Sequence, residues 1–456
     1  MIPIETSLEG TPGRPLSARL RQMSASFLHG RRPVFAVAQA VGTQVLIAGI
    51  NILTGVITAR VLGPEGRGIY TAVTTWPLLL ATLAFSGLGS AVVFRMRKFP
   101  EKAGSVAAGG LLLGAAQSLI AIGVGMAVVP ALMGPQYTDT TVSLARICLV
   151  STLVNSTYML IKQSFAGIGA FKPFNLANLW PQLLYLIALL SILSFASVTA
   201  TAAVLALLGT GALAVFTTLP KFLRLVRPRL QGSFTEVREL AAYAVRAAPM
   251  DIVFALATNA DRLVLIPLLP ASELGFYAVA FSFSRVIQLV QPAIASVVFS
   301  HMAGQSESRG KQLHDYALRF LLAGLVGGVG ILWLAGRPLL VFTYGPQFAA
   351  ANTIFRLLLV EATLGALSQV TMQLFLSRDR PGIVSAIQVL ILCVSMGAML
   401  VLVPRYGATG AATGLVIAGA LRWLLLLGSV KTSLRLPLPR LYLSREDFQY
   451  LLGRLR

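Results

Sequence analysis

Charge is scarce in this chain. Only 12% of its 456 residues are Asp, Glu, Lys or Arg, about half the share of an ordinary soluble domain. Acids are scarcest, at 16 against 37 Lys and Arg, and the three histidines, His29, His301 and His314, lie in or beside charged loops. There is no glycine loop ending in lysine and no HExxH pair, so ATP-driven work by this chain alone is disfavoured. The two cysteines, Cys148 and Cys393, sit far apart inside apolar runs, which indicates neither a disulfide nor a metal site. Residues 1–33 carry Arg14, Arg19, Arg21, Arg31 and Arg32 without a short apolar core and small-residue cleavage site. A cleaved signal peptide is therefore not expected.

Apolar length is what the chain has in abundance. Hydrophobic residues make up 56%, and the mean hydropathy of +0.78 is that of a membrane protein. A spanning helix needs about 20 mainly apolar residues. Loops marked by charge, Pro and Gly predict spans near 34–58, 68–94, 104–131, 142–168, 173–195 and 198–220. Six more follow near 241–268, 274–300, 318–343, 351–376, 382–403 and 407–430. The net charge of +21 would suggest nucleic acid on a soluble protein, but here the bases crowd between apolar runs. Segments on the amino-terminal side hold 27 Lys and Arg, and the opposite loops hold only Arg60, Arg67 and Arg405. One miscounted helix would exchange the sides of every later loop, so this bias predicts both termini on the cytoplasmic face.

The chain also matches itself. Gly68-Ile69-Tyr70 falls over Gly275-Phe276-Tyr277 at an offset of 207, and Gly134-Pro135-Gln136 over Gly345-Pro346-Gln347 at 211. Arg146 over Arg356 and Gln163 over Gln373 follow at 210, and Ala200-Thr201 over Ala408-Thr409 at 208. Six spans is an even number, so the halves are parallel repeats about an axis along the membrane normal, with a binding site expected between them. The expected fold class is an all-α polytopic membrane protein of about twelve helices in two six-helix lobes. Its parts are an N-lobe at 34–224, a cytoplasmic linker at 225–240 and a C-lobe at 241–430. The ends, 1–33 and 431–456, read as amphipathic segments on the cytoplasmic leaflet: Leu16, Leu20, Met23 and Phe27 recur at helical spacing, and Ser444 to Asp447 resembles a capping box.

Ionisable groups inside the spans are the informative ones, because a charge in hydrocarbon is costly unless it meets water or a partner. At 1.5 Å per residue, Asp251, Arg285 and Glu361 each lie about 15 Å into their spans, near mid-bilayer. Arg285 is read as the site for an anionic headgroup, with Asp251 or Glu361 as counter-ion or coupling-cation site. A structural ion pair is the alternative. Pro249, just before Asp251, would kink its helix and could serve as a hinge. Asp261 and Arg262 form either a local ion pair or part of a cavity mouth. Arg146 and Arg356 occupy equivalent outer positions, and Lys162 and Arg422 lie toward the cytoplasmic ends, where they could snorkel or meet a diphosphate. Asn51 and Asn259, with Gln163 and Gln373, pair across the halves and suit sugars, though packing between helices would also use them.

The run Thr58-Ala-Arg-Val-Leu-Gly-Pro-Glu-Gly-Arg-Gly-Ile-Tyr70 followed by Gly87-Leu-Gly-Ser-Ala91 resembles the first-to-second helix region of Wzx-type polysaccharide flippases. Asn259-Ala-Asp-Arg-Leu263 with Gly275-Phe-Tyr-Ala-Val-Ala280 resembles their seventh-to-eighth region. Those proteins belong to the multidrug/oligosaccharidyl-lipid/polysaccharide exporter (MOP) superfamily, whose MATE-like fold the resemblance implies. It further implies alternating access around a cationic cavity, moving undecaprenyl-diphosphate-linked oligosaccharide from the cytoplasmic to the periplasmic leaflet of the inner membrane. The product would be exopolysaccharide or O-antigen. No cofactor is expected beyond H+ or Na+ as coupling ion, and the partners are membrane lipids and a polymerase. Only Arg285 is clearly central here, fewer bases than the family's cationic cavities carry. The two extra helices usual in lipid II flippases have no counterpart run.

A cation-coupled multidrug exporter would instead use Asp251 or Glu361 as its ion site. A polytopic glycosyltransferase or polymerase would need a sizeable outer loop or acidic cluster, and the predicted outer loops are about ten residues or fewer. The charge bias is directly testable. Cysteines placed at Ser7 and Ser444 in a cysteine-free background should react with an impermeant maleimide only after permeabilisation, whereas one at Thr138 should react in intact cells.

Overall fold

A computed structural model describes residues 33–195, 198–290 and 307–439. Both predicted amphipathic ends, apart from the first residues of the tail, lie outside the described residues. The chain runs as α1 (Pro33–Ala84), α2 (Leu88–Lys98), α3 (Ala103–Met133), α4 (Asp139–Leu149), α5 (Ser151–Gly167) and α6 (Phe171–Phe195). Then come α7 (Ala200–Val226), α8 (Ser233–Leu268), α9 (Ala271–Ser284), α10 (Glu307–Tyr344), α11 (Asn352–Leu376) and α12 (Pro381–Thr432). No strand occurs among the described residues, and nine candidate spans there are long and apolar enough to cross a membrane.

Two of the helical stretches, α1 and α12, are 52 residues long. A straight helix of that length would span about 78 Å, more than twice the hydrocarbon core. Each is a hairpin, turned at a glycine with positive φ: Gly63 (67°) and Gly407 (57°). Beyond Gly407 the chain doubles back, so that Gly414 lies against Ala398 and Met399. The turn is held by Glu273, whose Oε2 accepts the Ala408 N–H at 2.9 Å. A Cβ at 407 would strike that carboxylate.

The repeat seen in sequence recurs in the backbone. Gly134 and Gly345 both take positive φ (58° and 105°) and each opens a 3-10 turn through its Pro-Gln pair. The two glycines equated by the first match touch each other. A Cβ on Gly68 would lie 1.6 Å from the Ala271 carbonyl oxygen, and one on Gly275 would lie 1.9 Å from that of Pro64. The contact is reciprocal, as a two-fold axis between repeats requires. It lets α9 pack closely along α1.

Several spans differ from their expected form. The second breaks at Gly87 (φ 74°) before resuming as α2, because Asp251 of α8 accepts the freed Gly87 N–H at 2.8 Å. The fourth divides at Val150 into α4 and α5. The seventh begins at Ser233 rather than 241, shortening the linker, because buried Glu236 receives Arg95 (2.6 Å) and Leu240 packs inward. The eighth tightens from α-helix into a 3-10 turn at Arg285–Val290.

The core is divided unevenly. One apolar cluster joins both halves at the end bearing the Gly63 and Gly407 turns, including Trp76, Leu265, Tyr277, Phe355 and Met399. At the opposite end, Met96, Phe165 and Phe222 form one cluster with the start of α8, and Phe375, Ile391 and Leu426 form another. Arg60 strengthens the joined end: its guanidinium donates to the Phe342 and Thr343 carbonyls, capping α10, while Gln347 donates back to the Arg60 carbonyl.

Backbone cannot yield to a new side chain as a flexible neighbour can, so Gly68→Val or Gly275→Val should cost about 3 kcal/mol or more. A thermal-stability assay in detergent should show either variant melting well below wild type. Gly327→Ala, with nothing within 4 Å of its Cβ position, should melt unchanged.

Candidate functional site

Four ionisable side chains converge on a cavity of about 490 Å³ in the second half: Asp261, Arg285, Glu361 and Arg422. Helical periodicity brings them there. On α11 the cavity face reads Glu361, Gly365, Gln369, Met372, and on α12 it reads Leu415, Ala418, Gly419, Arg422, both at spacings of three or four. The two glycines leave room beside the charges.

Arg285 Nη2 lies 3.0 Å from Glu361 Oε2. Its guanidinium also stacks over the Phe281 ring at 4.3 Å. Glu361 is 8% exposed and Asp261 6%, so neither carboxylate is freely solvated. Asp261 Oδ2 accepts the Tyr277 hydroxyl at 2.8 Å, and Tyr277 stacks on Phe281 at 5.8 Å. Arg422 is different: its Nε is buried without a partner among the described residues. With two acids and two bases the cavity is balanced in charge, and it holds one guanidinium with a donor to spare.

A second cavity, of about 340 Å³, lies on the other side of α9. Ala278 and Ser282 face it, while Phe281 and Arg285 face the first. Helix α8 sorts its residues in the same way. Asp261 lines the first cavity and its neighbour Arg262 lines the second, where Arg67 joins it. The local Asp261–Arg262 ion pair is therefore not formed; about 100° of helical rotation separates adjacent residues.

The other predicted residues scatter. Asp251 is exposed and caps α2, apart from Arg285 and Glu361, so among the described residues the ion pair of Arg285 is with Glu361. Helix α8 continues through Pro249, which is exposed. Asn51 is exposed on α1, and Asn259 donates to the Ala255 carbonyl of its own helix at 2.9 Å. Gln163 packs over Gly89, and Lys162 beside it is half-buried. Arg146 is exposed, and Arg356 donates to the Trp333 carbonyl and covers its ring at 5.5 Å. Gln373 does not line the cavity, whereas Gln369 does. Sequence reasoning chose Gln373 by repeat matching; stepping by four and eight residues from Glu361 would have found Gly365 and Gln369. Arg67 was passed over as an outer-loop base, and Asn155, Gln182 and Gln388 carried no signal beyond lying in spans.

Comparison with known proteins agrees with this architecture. No curated protein matches the sequence. Among solved structures, the lipid II flippase MurJ in an inward closed conformation aligns with TM-score 0.68 and 14% identity over 87% of each chain. A multidrug resistance MATE family transporter of the MOP superfamily, inward-facing, aligns at 0.66 with 15% identity, over 86% of this chain and 96% of that one. An outward-facing MATE structure aligns at 0.57 with 16% identity, over 90% and 97%. These likenesses establish the fold. The sequence profile of polysaccharide biosynthesis proteins matches residues 57–351, so this multi-pass membrane protein belongs to the polysaccharide biosynthesis protein family and carries the MOP-superfamily fold.

Proposed function

We propose that the protein is a flippase carrying undecaprenyl-diphosphate-linked oligosaccharide units from the cytoplasmic to the periplasmic leaflet of the inner membrane, with both termini cytoplasmic. The observation that carries the reading is the cavity of Arg285, Glu361 and Arg422, enclosed between spans of a member of the polysaccharide biosynthesis family. Charges placed at that depth are retained when they handle a charged cargo. The halves share one apolar core at one end, and at the other they meet through the start of α8, where Arg95 reaches Glu236 and Asp251 takes the Gly87 N–H, so α8 is the element that would have to move for that end to open.

Arg422 has an unmatched donor and meets the diphosphate first. Arg285, 28% exposed at its side chain, then leaves Glu361 for a phosphate oxygen, because a guanidinium binds a phosphate as two parallel N–H donors. That exchange strands Glu361 as a buried carboxylate beside Asp261, and such a group is neutralised by a proton or a sodium ion. Cation uptake is thereby tied to substrate occupancy, and the coupling ion enters through the residue the substrate displaces. A polymerase acting on the delivered unit is the expected downstream partner.

The acid pair Asp261 and Glu361 would equally suit a cationic drug, which is the second reading. The two readings separate in cells. Arg285→Gln alone leaves Glu361 without its cation, so the informative variant is Arg285→Gln with Glu361→Gln, which removes both charges. It should keep wild-type abundance and melting temperature while surface polysaccharide falls at least about tenfold, the worth of about 1.4 kcal/mol. Normal polysaccharide with increased drug susceptibility would instead favour the multidrug exporter.

A further inference from the structure

A cavity of about 540 Å³ lies away from α9, on the face that the Lys and Arg bias predicts to be cytoplasmic. It sits between the α2–α3 turn, the end of α5 and the segment that follows α7. Its charged lining is Arg97, Arg227 and Arg229 against the single carboxylate of Glu101, and the rest is apolar or glycine. Main-chain contacts hold the two later arginines in place. Arg227 takes the left-handed conformation (φ 53°, ψ 63°), which is costly for a residue with a Cβ. Its carbonyl oxygen would lie 2.4 Å from a Cβ on Gly104, so glycine there lets the end of α7 reach the first turn of α3. The Arg229 N–H donates to the Gly104 carbonyl at 3.0 Å, and Ser105 Oγ donates to the Gln231 carbonyl at 2.8 Å. With their backbones pinned, the guanidiniums of Arg227 and Arg229 form no hydrogen bond or ion pair among the described residues. Arg97 is held from the opposite wall, donating to the Ala166 carbonyl at 2.9 Å and covering the Phe171 ring at 5.6 Å. Helix α3 starts in the cavity without a side-chain cap, so its positive end adds to the three bases.

One turn deeper along α7 the surface changes character. A groove of about 180 Å³ runs between α6 and α7, with Leu176, Trp180, Thr217 and Lys221 along it and the buried Phe165 and Ala177 at its floor. Trp180 Nε1 donates to Thr217 Oγ1 at 2.9 Å and so ties the two helices together. At 1.5 Å per residue, Thr218 lies about 12 Å below Val226, at the depth of acyl chains rather than of soluble ions. Tryptophan and lysine at that level are residues of the membrane–water interface. Helices α5 and α7 run through both features: Phe165 and Lys221 line the groove, and Gly167 and Leu225 line the cavity. A cationic cavity with an apolar groove beneath it matches a molecule with an anionic head and a hydrocarbon tail.

We propose that this paired feature is a binding site for an anionic glycerophospholipid of the bilayer, with its phosphate on Arg97, Arg227 and Arg229 and one acyl chain in the α6–α7 groove. A bilayer lipid is the occupant rather than the carried one because none of the lining comes from α8, α9, α11 or α12, the helices around Arg285 and Glu361. The bound lipid joins α2, α3 and α7 at one membrane face and stabilises the first half. The assignment does not depend on the flippase reading.

The test titrates the full chain in detergent with phosphatidylglycerol or phosphatidylethanolamine, read by native mass spectrometry and by melting temperature. Phosphatidylglycerol should bind at least about tenfold more tightly and raise the melting temperature further. That preference should be lost when Arg227→Gln is combined with Arg229→Gln, and should persist when both are changed to Lys. It should also persist in Arg285→Gln with Glu361→Gln. The Gln pair breaks no side-chain bond of the protein's own, so without lipid it should melt as wild type does. Glycerol 1-phosphate, a head without chains, should not displace the lipid at equal concentration. Equal binding of the two lipids, or a preference unchanged in the Gln pair, would overturn the assignment. Displacement by glycerol 1-phosphate would overturn it in favour of a soluble phosphate, and displacement by a lower concentration of undecaprenyl diphosphate in favour of the carried lipid.

Discussion

The arrangement depends on two glycines that let backbone meet backbone. Gly68 and Gly275 occupy equivalent places in the two halves, and each lies against the other's helix where a Cβ would be within 2 Å of a carbonyl oxygen. Helices normally stand 8–10 Å apart, a spacing set by the side chains between them. Removing those side chains at both positions brings α9 against α1 and makes α9 a wall. Everything functional is then defined by which side of that wall a residue faces.

The wall sorts charge. Along α9, Tyr277, Phe281 and Arg285 recur every four residues toward one cavity, and Ala278 and Ser282 toward the other. On α8 the adjacent pair Asp261-Arg262 is split, acid to one side and base to the other. The result is one cavity balanced in charge, with an ion pair inside it, and one lined by bases alone among the described residues. In a low-dielectric interior the difference is large, because an unmatched charge there costs several kcal/mol while a matched one is tolerated. The exchange of Arg285 between Glu361 and a phosphate that we propose is placed in the balanced cavity. The joined core and the Arg60 clasp close one end, and the start of α8 bridges the halves at the other.

Much of the fold was legible in the sequence because its causes are local. Hydrophobic length and the repeated Gly-Pro-Gln turn each depend on a few neighbouring residues, and the repeat reappears as matching turns at Gly134 and Gly345. Position along the spans was informative too, since it singled out Arg285 and Glu361, which meet at 3.0 Å. Direction around the helix was not. Asp251 lies at a similar depth yet turns toward the Gly87 N–H, and no linear count could show that the second span breaks there to receive it. Gln369 rather than Gln373 faces the cavity for the same reason, being two full turns from Glu361. Arg67 was hidden by its position near a loop, since only the hairpin at Gly63 folds it back beside Arg262.

The central claim is that the two halves pass a lipid-linked sugar through the cavities beside α9. Translocation by the purified protein tests it most directly. In proteoliposomes carrying a fluorescent undecaprenyl-diphosphate oligosaccharide, the account predicts that label initially confined to one leaflet becomes accessible to an impermeant quencher on the other side. Label that remains in its original leaflet, as in protein-free vesicles, would contradict it.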